Sequence, residues 1–223
     1  MWRLYQFPLC PFSRKVRLLL GEKRIAYELC QVIPWRRQLE FRQLNRTGRT
    51  PAMQDAEHGI VLADSRAICE YFEETVVGFP LMSGSAEQRA EIRRLVAWFD
   101  EQFYAEVTWP LLRGRLITPA KTGGNRNTGM LPGARRKADA YLDELGYYLG
   151  HRRWLAGPTL SLADLAAAAQ ISVSDYFGGI DWSGHEQANV WYSVLKSRPS
   201  FQPILAARVA GIEPPPHYSD LDA

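Results

Sequence analysis

The hydrophobic pattern changes character between residues 76 and 84, and that change constrains the fold more than any single motif. Before it, short apolar runs alternate with helical stripes. Residues 2–7 are mostly apolar and end at Pro8, which reads as a buried strand. Residues 13–23 place Val16, Leu19, Leu20 and Lys23 at helical spacing, with Gly21 near the end. Residues 27–32 form a second strand, and 35–44 a short or irregular helix. Residues 51–54 and 60–63 flank the turn-rich Asp55-Ala56-Glu57-His58-Gly59 and read as a hairpin. Residues 64–74 are helical, with Ile68, Tyr71 and Phe72 on one face. The order β-α-β-α-β-β-α predicts an α/β domain over residues 1–75, with a mixed sheet and a right-handed crossover.

Residues 76–84 hold Gly, Pro and Ser and read as the linker. Beyond it no strand pattern of similar quality appears, so residues 85–212 are expected to be all-helical. Ile92, Leu95, Val96, Phe99, Phe103 and Val107 form one long stripe. Pro110 is expected to end or kink that helix. Residues 114–133, with Thr122-Gly123-Gly124-Asn125, read as a long loop. Residues 134–149 return to helix, and Pro199 and Pro203 bracket the start of a last one that ends near Ala210. Ser161 and Asp164 form a capping box with a Leu160/Leu165 staple, ahead of an Ala-rich apolar helix that belongs in the middle of a bundle. Residues 213–223 form an extended Pro-rich tail.

Composition excludes several classes. The 223 residues carry a net charge of +3 and no basic run, which argues against nucleic acid as a partner. No stretch approaches the roughly 18 apolar residues of a membrane span, and the N-terminus lacks a signal-peptide layout. Cys10, Cys30 and Cys69 make neither a disulfide framework nor a metal-like cluster. Free thiols, a cytoplasmic location and no metal are therefore expected.

Three places could carry chemistry. Cys10-Pro11-Phe12-Ser13 lies between the first strand and the first helix, where free amides and the helix dipole stabilise a thiolate. With one cysteine in the motif, a redox cycle needs an external thiol. Ser13 is the alternative catalytic group, able to donate a hydrogen bond to a bound thiolate. The purely structural alternative is a capping Ser13 beside a buried Cys10. Thr50-Pro51 opens the third strand facing that loop, which suggests a cis peptide presenting backbone groups to an extended ligand. Asp64-Ser65 starts the third helix. There a carboxylate and a helix N-terminus suit the two charges of an α-amino acid group.

With those residues in view, the chain resembles the cytosolic glutathione S-transferases. Asn45-Arg46-Thr47-Gly48-Arg49-Thr50-Pro51 is similar to their N-P-x-G-K-V-P, with Arg46, Arg49 and Thr50 as the changes. Asp64-Ser65-Arg66-Ala67-Ile68 is similar to E-S-R-A-I. Trp154-Leu155-Ala156-Gly157, followed by Ser161 and Asp164, is similar to F-L-x-G and S/T-x-x-D. The resemblance implies a thioredoxin-like N-terminal domain, a helical C-terminal bundle, a homodimer and a glutathione site used for conjugation to a small electrophile or for thiol transfer. Carried over position by position, Cys10 or Ser13 would face the sulfur. Thr50 and Pro51 would hold the cysteinyl backbone, Asp64 and Ser65 the γ-glutamyl end, and Arg49 the glycyl carboxylate. The opening Trp2-Arg3-Leu4-Tyr5-Gln6-Phe7-Pro8-Leu9-Cys10 and the tail Glu213-Pro214-Pro215-Pro216-His217-Tyr218-Ser219-Asp220-Leu221-Asp222 resemble a bacterial subgroup, the FtsZ-localised protein A group, which uses this fold to bind division filaments. That resemblance implies FtsZ as partner and a mid-cell location. Contact would run through Trp35 and an exposed Tyr218, Asp220, Leu221 and Asp222.

Overall fold

The computed structural model describes residues 1–33, 35–36, 38–124 and 132–220. Strand β1 (Trp2–Gln6) leads through Pro8 into helix α1 (Pro11–Glu22), whose first position is a proline with φ already suited to a helix. Strand β2 (Tyr27–Gln31), the short helix α2 (Leu39–Leu44), strands β3 (Ala52–Asp55) and β4 (Ile60–Ala63) and helix α3 (Ser65–Thr75) complete the unit. The sheet order is β2-β1-β3-β4, with β1 parallel to β2 and both other pairings antiparallel. This is the thioredoxin-like arrangement, and each element falls within a few residues of its expected place.

The second part is helical. Helix α4 (Ala86–Ala97) begins with a capping box in which the Ser85 amide donates to Gln88 and the Gln88 amide donates to Ser85 Oγ. The helical path then continues as a π-type stretch over Trp98–Thr108, α5 (Trp109–Leu112), a second π-type stretch over Arg113–Ile117, and α6 (Thr118–Thr122). Two expectations are corrected here. Pro110 does not end the helix, because it sits in the first turn of α5, where the preceding i→i+5 bonding re-registers the backbone around its missing amide. Residues 114–122 are helical rather than loop, and the turn comes at Gly123 with φ 72°. Asn125 lies outside the described residues. Helices α7 (Pro132–Leu149), α8 (Leu162–Tyr176), α9 (Glu186–Lys196) and α10 (Gln202–Leu205) follow. The last of these is one turn long, and the chain turns at Val209–Ile212 instead of continuing as helix to Ala210.

Helix α8 is the axis of the bundle and is buried at every position. Asp164, in its first turn, explains how this end is sealed. Its carboxylate accepts from the Leu155 amide at 2.9 Å, the Ser161 amide at 2.9 Å, Ser161 Oγ at 2.8 Å and the Trp191 indole at 3.0 Å. Burial pushes this carboxyl up, and the four donors pull it back.

One hydrophobic core runs through both parts, with α1 packed on α8. A Cβ at Gly21 would lie 2.8 Å from Ser200 Cβ, so α1 approaches the second domain closer than any other residue there permits. Charged side chains reinforce the seam. Lys15 pairs with Asp100 in the interior and Glu22 accepts from both Arg198 and Ser200, while Lys23 pairs with Glu73 at 2.9 Å within the first part.

The tail is also corrected. Pro215 is extended, but Pro216–Tyr218 forms a 3₁₀ turn and Tyr218 is fully buried. Its ring meets Tyr176 edge to face at 5.2 Å, its hydroxyl donates to the Ile204 carbonyl, and Lys196 Nζ donates to the carbonyls of His217 and Asp220. A large ring beside an apolar seam is worth more buried than exposed. Tyr218 is therefore not a solvent-facing anchor. Asp220 is exposed, and Leu221 and Asp222 lie outside the described residues.

Candidate functional site

Cys10 is the N-cap of α1. Its backbone is extended (φ −80°, ψ 114°), its amide donates to the Phe7 carbonyl at 2.9 Å, and its side chain is half-buried. Because it precedes the helix, its thiol leaves toward the neighbouring strand edge and donates to the Thr50 carbonyl at 3.4 Å. Ser13 is placed differently. It lies inside the first turn of α1, caps nothing, is fully enclosed, and its hydroxyl has no hydrogen-bond partner among the described residues. The structure thus brings Cys10, and not Ser13, to the strand edge that Thr50 presents.

The Thr50–Pro51 bond is cis, as the motif suggested. The loop before it is shaped by Asn45, a buried residue whose amide group donates to the Arg49 carbonyl at 2.8 Å while its Oδ1 accepts from the Thr47 amide and hydroxyl. Arg49 is exposed beside this edge, and Thr50 and Pro51 are buried. Asp64 caps α3, with Oδ1 accepting from the Arg66 amide at 2.7 Å and a φ of 75°. A positive φ at a non-glycine residue costs roughly 1–3 kcal/mol and is characteristic of ligand clamps. Ser65 is the first residue of α3 and is almost enclosed.

The second domain supplies a wall that the sequence reading missed. Tyr104, on the π-type stretch, packs on Phe12 with ring centroids 4.7 Å apart and lies 6.1 Å from the Trp109 ring. Burial pushes its phenol up to about 12, with Cys10 adding to the shift and Arg49 opposing it. Tyr104 therefore stands within electrostatic reach of both site residues. The 99/103/107 stripe was legible as core, but Tyr104 falls off that stripe, and nothing local marks it. Trp35 is half-buried and packs edge to face on Phe7 at 5.2 Å, so it borders the same loop without being fully exposed.

The other thiols differ from Cys10. Cys69 is enclosed, and burial pushes its thiol up to about 12. Cys30 is half-buried on β2. The hairpin turn brings Asp55, Glu57 and His58 together, with ligand atoms within 4.8 Å. Asp55 already accepts there from His58 and the Glu57 amide. Among the described residues no helix is long and apolar enough to cross a membrane.

Sheet order, cis bend, helix-start thiol and Ala-rich central helix together define a class, and comparison with known proteins agrees with it. Residues 4–79 match the glutathione S-transferase N-terminal domain. The chain belongs to the glutathione S-transferase family. Within it, the chain is 43% identical over 221 residues to FtsZ-localized protein A of Caulobacter vibrioides, covering 98% of this chain and 97% of that one. It is 25% identical over 202 residues to the glutathione S-transferase GstB of Escherichia coli, covering 88% and 94%. A solved glutathione S-transferase from Rhodospirillum rubrum F11 superposes with a TM-score of 0.95 at 42% identity, each chain fully covered. FzlA from C. crescentus superposes at 0.92 and 40% identity, over 100% of this chain and 99% of that one.

Proposed function

We propose that this chain is a homodimeric cytoplasmic protein that uses the transferase fold to bind FtsZ filaments at the division site. The carrying observation is the full-length likeness to FtsZ-localized protein A, at 43% identity against 25% for GstB. Trp35 is the contact best placed for this role. It is partly accessible, anchored on Phe7, and of the residue type that dominates binding surfaces. The experiment is filament binding by Trp35→Ala. Loss of a central Trp anchor costs about 2 kcal/mol or more, a Kd weakened roughly thirtyfold. Unchanged affinity would remove Trp35 from the interface.

A second reading is favoured by the geometry of Cys10: glutathione-dependent chemistry on the same domain. The family generally uses glutathione as co-substrate. Thr50 would hold the cysteinyl backbone, Asp64 and Ser65 the γ-glutamyl charges, and Arg49 the glycyl carboxylate. In thiol transfer, the Cys10 thiolate attacks the glutathione sulfur of a glutathionyl mixed disulfide, which expels the other thiolate to take up a proton. A second glutathione thiolate then attacks the Cys10 mixed disulfide, giving oxidised glutathione and regenerating the Cys10 thiolate. In conjugation, Cys10 would instead donate a hydrogen bond to the glutathione thiolate as it attacks a small electrophile. Calorimetric titration of glutathione tests this reading. Binding that Ser65→Ala weakens by about 1–3 kcal/mol supports it, and no heat at millimolar glutathione removes it.

A further inference from the structure

The guanidinium of Arg14 ties the last turn of the chain to the loop that carries Cys10. Arg14 is fully enclosed in the first turn of α1. Its Nε donates to the Pro8 carbonyl at 2.7 Å, and one terminal nitrogen donates to Ser172 Oγ at 2.8 Å. Neither bond goes to a carboxylate, and the other terminal nitrogen has no hydrogen-bond partner among the described residues. The charge is met instead by two ring faces, with the centroids of Tyr176 and Tyr218 at 5.7 and 5.9 Å. Both lie inside the cation–π range of about 6 Å. Tyr176 belongs to α8, but Tyr218 arrives on the C-terminal strap, which Lys196 holds by the carbonyls of His217 and Asp220.

We propose that this strap is a positioning element for the Cys10 loop. Docked Tyr218 keeps Arg14 dry and on the Pro8 carbonyl. When Tyr218 leaves, water reaches a charge that makes no ion pair with a carboxylate among the described residues. The guanidinium then turns to solvent, and the Pro8-Leu9-Cys10 segment loses one of the bonds that pin it, keeping those of the Cys10 amide to Phe7 and of the Cys10 carbonyl to the Arg14 amide. The thiol, held by a long contact to Thr50, becomes more accessible. Coupling between two sites is reciprocal. A partner that draws the strap away therefore changes Cys10, and a ligand seated on Cys10 changes the strap. Neither glutathione nor FtsZ need bind for this coupling to operate, so it is independent of both readings above.

The test is carried out on the full chain with Tyr218→Ala and Tyr218→Phe. Phe keeps the ring on Arg14 and loses the hydroxyl, with its bond to the Ile204 carbonyl and its approach to the guanidinium. Iodoacetamide labelling of Cys10 is followed by peptide mass spectrometry, with Cys69 as the internal control and amide exchange at Tyr218 and Asp220 reporting strap release. Tyr218→Ala should raise the Cys10 rate by at least about fivefold, the low end of usual coupling, while Tyr218→Phe stays within about twofold and Cys69 stays unlabelled. A released strap with an unchanged Cys10 rate overturns the proposal. So does a parallel rise at Cys69, which marks general loosening. If Tyr218→Ala does not fold, Lys196→Gln loosens the strap without opening a cavity at Tyr218, and the same outcomes apply to it.

Discussion

Replacing Asp164 by alanine removes the seal at the head of α8 and gives the sharpest stability prediction. The carboxylate is fully buried and is the acceptor for two backbone amides, one hydroxyl and one indole. The Ser161 hydroxyl can turn to another acceptor, but the two amides and the indole cannot. Each buried donor left unpaired costs roughly 1–3 kcal/mol. Water entering the vacated space recovers part of that, so the net loss is about 3–5 kcal/mol, a large share of the roughly 5–15 kcal/mol that holds a protein folded. Asp164→Asn keeps one acceptor oxygen and turns an NH₂ toward the remaining donors, so it should lose about half as much. Urea unfolding at neutral pH, followed by far-UV circular dichroism, reads both variants. The midpoint should fall in the order wild type, Asn, Ala, with unchanged slope. A loss below about 1 kcal/mol for the alanine variant would refute the reasoning, because it would mean that the donors find other partners.

Three further outcomes follow from the same packing. Gly21→Ala forces α1 away from Ser200 and should cost about 1–3 kcal/mol in the same assay, where a neutral result would show that the seam is loose. Cys69 should resist alkylation at pH 8 in the native protein and react only on unfolding, since burial pushes its thiol up to about 12, and native labelling of Cys69 would contradict its placement. His217 is held protonated chiefly by its bond to Asp175, against burial and the nearby Lys196, and Tyr192 also faces that carboxylate. Its raised pKa means that its stabilising contribution is complete below the ordinary value of about 6.5 and is lost as pH rises through the folded value. Protection of the Tyr218 amide, corrected for intrinsic exchange, should therefore fall above that pH, and His217→Ala should flatten the profile.

What was legible in the sequence was local. The alternating apolar runs of β1, β3 and β4, the proline at the start of α1, and the Ser161–Asp164 box act within a few residues, and each formed where expected. The cis bond at Thr50–Pro51 came from its place in the motif. What failed depended on distant partners. Whether Cys10 or Ser13 faces the site cannot be read from four residues, because it turns on where α1 begins and which face it buries against α8. Tyr218 resembles an exposed anchor until Arg14, near the other end of the chain, is brought beneath it. Residues 114–122 look like loop because Gly114 and Pro119 break the helical pattern, and π-type bonding carries the path through regardless. Tyr104 reaches the site only because the domains pack together.

Co-sedimentation of the purified chain with FtsZ polymers tests the central claim most directly. With GTP present, and FtsZ assembled, the chain should pellet in saturable proportion to polymer, and with GDP it should stay in the supernatant. A chain that remains soluble in both conditions, across concentrations well above that of the polymer, would contradict filament binding as its function.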